Sequence, residues 1–159
     1  MNAPFLSVIT CAILLVTGGE QPQNCITQEK CSAIEQAVIA KNAEVTSYAE
    51  QLNPEKLYDM IIEGGTGTII QDGKVLTRQE ALDSTKRAYE GISSQKIEFT
   101  QQNVKVLSPE TAIFTGMGKS VVTTNSGETF TRDFAVTSVF ILKDGEWKIV
   151  HGHHSRPDF

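Results

Sequence analysis

The stretch Trp147-Lys148-Ile149-Val150-His151-Gly152-His153-His154-Ser155 follows an Asp144-Gly145 turn and a long apolar strand. At the two-residue period of a β-strand, Trp147, Ile149, His151, His153 and Ser155 share one face, and Lys148, Val150, Gly152 and His154 the other. A half-buried strand normally spends its inward positions on aliphatic side chains. A face that grades from Trp and Ile into His, His and Ser therefore predicts a cavity beyond a packed core.

The same period holds back to Gln95. Ile97 and Phe99 share one parity and Val104 and Val106 the other, so the strand over residues 96–107 is expected to carry a bulge near Gln101-Gln102. Ser108-Pro109-Glu110, Asn125-Ser126-Gly127 and Lys143-Asp144-Gly145-Glu146 read as turns that separate further strands over 111–124 and 128–142. Four strands with short connections form an antiparallel meander, and the bulge together with Gly116 and Gly118 predicts strong bending.

Upstream the period becomes helical. After Thr27 as N-cap, Ile34, Val38, Val45, Tyr48, Ala49 and Leu52 recur at helical spacing to about Gln51. Asn53 caps a second helix with Pro54 at its first position and Leu57, Tyr58 and Ile61 as its stripe, and Gly64-Gly65 ends it. Residues 66–70, the Asp72-Gly73 turn and residues 74–76 read as a short hairpin. Thr77-Arg78-Gln79-Glu80 is a capping box that opens a helix carrying Ala81, Leu82, Ala88, Tyr89 and Ile92. The expected fold is α+β: a cone of strongly curved antiparallel sheet with three N-terminal helices packed in its concave face.

Residues 5–16 form an almost uninterrupted apolar run ending in Thr17-Gly18-Gly19. That length suits a secretory h-region, because a membrane span needs ~20 apolar residues. Residues 1–19 are thus expected to be a signal peptide cleaved near Gly18 or Gly19, 20–28 a flexible segment and 29–157 one domain, periplasmic or secreted. Cys11 would leave with the signal; Cys25 and Cys31 would remain, as a disulfide or as two free thiols. A net charge of -5 argues against nucleic acid and, once the signal is cleaved, against a membrane as partner. No C-x-x-C pair, Gly-rich phosphate loop or nucleophile elbow appears, and no cofactor is implied.

The element order, with the ending D-G-E-W-K-I-V-H-G-H-H-S over residues 144–155, resembles the SnoaL-like branch of the nuclear transport factor 2-like (cystatin-like α+β) superfamily. A W-x-x-V-H-x-H-x-S ending is also similar to the association domain of calcium/calmodulin-dependent kinase, an oligomerisation hub. The resemblance implies a homodimer across the outer sheet face. It does not select among isomerases, cyclases, dehydratases, ligand binders and assembly domains.

If Trp147 and His151 face inward, the neighbouring strand offers Phe130, Arg132, Phe134, Val136, Ser138 and Phe140. Arg132, Phe134, Ser138, Phe140, Trp147 and Tyr58 are the candidate ligand contacts. Arg132 reads either as an anion anchor or as a rim ion pair with Asp133 or Glu128. His151 and His153 are candidate proton carriers, or structural histidines bonded to Tyr58 or backbone. No metal site is assigned, since two imidazoles lack a third ligand. Glu63 is a candidate general base if burial raises its pKa, or a solvated helix-end carboxylate. Three readings follow: an exported binder of a small, largely apolar molecule; a cofactor-independent lyase, isomerase or cyclase; or a non-catalytic assembly or inhibitor domain.

Overall fold

The computed structural model describes residues 27–62 and 68–156. The segment expected to be a signal peptide, Cys25 and Glu63 lie outside these residues. Helix α1 (Gln28–Glu50) starts at Thr27, whose side-chain oxygen accepts from the Lys30 N–H. Helix α2 (Pro54–Asp59) starts at Asn53 in the same manner, with Pro54 in its first turn. Strands β1 (Thr68–Gln71) and β2 (Lys74–Leu76) form a hairpin around Asp72-Gly73, both with positive φ.

Helix α3 (Arg78–Glu90) begins with the complete capping box: Thr77 accepts from the Glu80 N–H while Glu80 accepts from the Thr77 N–H. Thr77→Ala is expected to cost about 1 kcal/mol, read as a lower urea midpoint at unchanged slope. The helix stops at Glu90, and Ile92, expected on its stripe, instead opens strand β3 (Ile92–Ser108). Strands β4 (Thr111–Thr124), β5 (Thr129–Lys143) and β6 (Glu146–Ser155) complete the meander. The β3 register slips between Phe99 and Gln101, so Thr100 is unpaired, next to the expected bulge.

The expectation of a strongly curved antiparallel cone is corrected here. The sheet is single, open and mixed, in the order β2-β1-β6-β5-β4-β3, with free edges at β2 and β3. Its mixed character comes from β1, which runs parallel to β6, Thr68 opposite His151 and Gln71 opposite His154. The element order is the expected one, with α3 after the β1–β2 hairpin and before the four long strands. Along the long β3 edge, the Glu50 carboxylate at the end of α1 accepts from the Ile97 N–H at 2.8 Å. A backbone donor that no strand covers is thereby satisfied.

Packing divides the inner sheet face along the strands. At one end Ala112, Phe114 and Phe140 are fully buried, and Trp147, Ile149, Tyr58 and Val104 join them in the core. Towards the other end the inward positions Ile97, Ser120, Val122, Phe130 and Arg132 line open space beneath α1 and α3. The grading predicted along the last strand is thus a property of the whole inner face.

Candidate functional site

The cavity between α1, α3 and the inner sheet face has a volume of about 410 Å³. Its walls are mostly apolar: Val45 and Ala49 from α1, Tyr89 from α3, Ile97 and Phe99 from β3, Val122 from β4. Polar residues are interspersed among them, including Thr46, Gln95, Ser120 and Asp133, while apolar surface predominates, as in a small-molecule site. Three aromatic rings and an imidazole form one chain that leads from the core, at Phe114, along the cavity wall. Phe99 meets Phe114 and Phe134 edge-on, at 5.7 and 5.3 Å between centroids, and Phe134 stacks on His154 at 5.7 Å and 20°.

Phe99 can lie there because β4 carries no side chain beneath it. A Cβ on Gly116 would sit 2.8 Å from Phe99 Cδ1, and one on Gly118 would overlap the Glu98 carbonyl oxygen. Both glycines serve close approach.

Strand β6 corrects the reading of the histidines. Val139 pairs with His151, yet Phe140 pairs with Ile149, so Val150 is an extra residue and the pleat reverses there. Before the bulge Trp147 and Ile149 point inward as expected. After it the inward positions are Gly152, opposite Ser138, and His154, opposite Val136. His154 lines the cavity; His151 and His153 fall on the outer face. Long-range pairing accounts for the bulge. The Ile149 backbone bonds to Met60 and Ile62 after α2, at 2.9 Å each, whereas residues 151–154 pair with β1. The strand changes partner at Val150.

Of the other candidates, Arg132, Phe134 and Ser138 line the cavity. Arg132 lies over the Phe130 ring, 4.6 Å from its centroid. No ion pair links it to Asp133, whose carboxylate faces Lys119 at 3.8 Å. Phe140 and Trp147 are core residues, and Tyr58 is buried with its hydroxyl 2.9 Å from that of Thr85. None of these three reaches the cavity.

Two contributors escaped the strand reading. Asn42 occupies the apolar stripe of α1, between Val38 and Val45, and is 6% exposed. A polar residue on an otherwise apolar helical stripe is the signal that marks it. Arg156 lines the cavity just past β6 and pairs with Asp72 in the β1–β2 turn.

The electrostatics favour a neutral imidazole at His154. Burial lowers its pKa from 6.5, the Arg156 and His153 charges push the same way, and Asp72 opposes them. Burial likewise pushes the Tyr89 hydroxyl up to about 12, with Tyr58 adding to the shift, so it remains a hydrogen-bond donor on the cavity wall. Because the folded pKa of His154 lies below its unfolded value, its contribution to stability is complete above about pH 6.5. That contribution falls as the pH drops through the window down to the lowered folded value, then levels. Urea midpoints from pH 8 to pH 5 are expected to fall less in His154→Gln than in the parent.

Among the described residues no group of three or more His, Cys, Asp or Glu side chains is placed to hold a metal ion. No described helix is long and apolar enough to cross a membrane.

Comparison with known proteins gives one family match, to the SnoaL-like domain, over residues 38–158. Solved structures with the same fold include a candidate calcium/calmodulin-dependent protein kinase II association domain from Xanthomonas campestris, at 20% identity and TM-score 0.67. That match covers 77% of this chain and 87% of the other. A candidate dehydratase of the NTF2-like family from Streptomyces avermitilis matches at 20% identity and TM-score 0.70, covering 79% and 97%. A hexachlorocyclohexane dehydrochlorinase matches at 11% identity and TM-score 0.69, covering 82% and 90%. No curated protein matches. At these identities the solved structures establish the fold, which carries enzymes and an association domain alike.

Proposed function

Since the chain belongs to the SnoaL-like domain family, we propose that it binds a small, largely apolar molecule in the cavity beneath α1 and α3. The observation that carries this reading is the cavity itself: about 410 Å³, walled by aromatic and aliphatic side chains, with Arg132, His154 and Arg156 among its polar groups. The apolar part of the ligand lies against Phe99, Phe134 and Val122, and its polar end meets His154 and the guanidinium groups. Native mass spectrometry of protein purified without added ligand tests this. A small-molecule mass retained by the parent and lost in His154→Ala is the expected result; an empty parent that also takes up no apolar probe would overturn it.

One observation favours a second reading, proton transfer at the bound molecule. His154 is held neutral and faces the cavity, so it can accept a proton from a carbon beside a polarised group. The two readings separate on whether the bound molecule leaves chemically changed.

The apolar run of residues 5–16 supports export, and the intact mass of protein recovered outside the cytoplasm is expected to begin after Gly18 or Gly19. Family membership, together with the exposed Met117 and Val121 on the outer face of β4, supports a homodimer through that face. Met117→Lys is expected to shift sedimentation from dimer to monomer with thermal stability of the subunit retained.

A further inference from the structure

Among the described residues, the two buried polar side chains, Asn42 and Ser138, both line the cavity. Asn42 is the more informative. Its side-chain Nδ2 is buried and has no hydrogen-bond partner. Its neighbours do not require an amide: the Thr46 hydroxyl bonds to the Asn42 backbone carbonyl, at 2.9 Å, not to its side chain. Val38, Val45 and Ala49 around it are apolar, with Thr46 the other polar residue that α1 brings to the cavity, and a leucine, of the same branched skeleton though larger, would continue the apolar side. A buried donor left unpaired destabilises the protein, so folding alone gives no reason for an asparagine here.

We infer that Asn42 is the specificity-determining residue of the cavity, its amide turning on ligand entry so that Nδ2, enclosed in the unliganded protein, donates to a hydrogen-bond acceptor on the ligand, and that the ligand is therefore an apolar skeleton bearing a neutral acceptor such as a ketone or ester carbonyl. This rests on the proposal that the cavity binds a small molecule. An unpaired donor in an apolar wall discriminates strongly, because an analogue without the acceptor leaves it unsatisfied. Asn42 lines the same cavity as Ser138 and Ile149 of the sheet. The polar end at His154 and Arg132 is a separate contact.

The test uses two probes of similar shape, 1-tetralone and tetralin, with and without a carbonyl, titrated into the parent and Asn42→Leu. Comparing the ratio of their dissociation constants between parent and variant cancels the difference in hydration between the probes. Parent protein is expected to bind both, and Asn42→Leu to shift the ratio against the ketone by about tenfold. The ligand-free variant is expected to melt a few degrees higher, since an unsatisfied donor has been removed.

Asn42→Ala, which removes the donor without adding bulk, is expected to shift the ratio the same way and covers the case in which the leucine variant does not fold. If both probes bind the parent and the ratio is unchanged in either variant, the role of Asn42 is refuted while the cavity stands as a binding site. If neither probe binds the parent, the binding function falls and the specificity role with it.

Discussion

Phe140→Ala is expected to lower stability by about 3–5 kcal/mol. Phe140 is fully buried and packs in the cluster with Phe114, Trp147 and Ile149. Its strand neighbour Ser138 reaches the cavity and Phe140 does not. The loss combines the forfeited burial of a benzyl group with the void it leaves, which close-packed neighbours on β4 and β6 fill only in part. A domain of this size has about 5–15 kcal/mol in total, so the variant sits near the folding threshold. Chemical denaturation reads the effect directly. The diagnostic result is that protein remaining folded binds its ligand as the parent does, because the side chain lies outside the cavity; weaker binding per folded molecule would place Phe140 in the site after all.

Gly118→Ala is expected to cost at least about 3 kcal/mol, a loss out of scale for one methyl group. An added Cβ at Gly118 would overlap the Glu98 carbonyl oxygen and lie 2.9 Å from Phe134 Cζ. The first obstacle is backbone in the paired strand, which cannot rotate away, so the β3–β4 ladder must shift beside its bulge at Thr100. Gly116→Ala meets the Phe99 ring instead, and a side chain gives way more easily than a ladder. The Gly118 variant is therefore expected to melt lower than the Gly116 variant. The opposite order would show that the strands accommodate the methyl by sliding. Both changes also disturb Phe99 and Phe134, whose rings form the cavity wall, so reduced binding is expected in either.

Much of this architecture was legible from local chemistry. Thr27, Asn53 and Thr77 cap their helices because short polar side chains meet the unpaired N–H groups of a first turn, a rule that needs no tertiary context. The Asp72-Gly73 and Asp144-Gly145 turns followed from residues that tolerate positive φ. The parity change in β3 showed its bulge to within about two residues, because apolar side chains flank it on opposite phases.

On β5, strict alternation identified Arg132, Phe134 and Ser138 as neighbours on one face, and all three line the cavity. On β6 the same argument failed at Val150, since that bulge comes from the exchange of pairing partners between the segment after α2 and β1. Local alternation carries no record of which distant strand will bond to which residue.

The sequence by itself determined the elements, their caps and turns, the antiparallel meander and a cavity at the far end of the last strand. These depend on neighbours within a few positions, where sterics and hydrogen-bond geometry are settled locally. Tertiary structure alone decided that β1 joins β6 in parallel to make an open mixed sheet, that His154 rather than His151 or His153 enters the cavity, and that Asn42 is buried there with its donor unpaired. A one-residue shift in pairing moves every later side chain to the other face, and which side chains meet in a cavity depends on how helix and sheet pack across it.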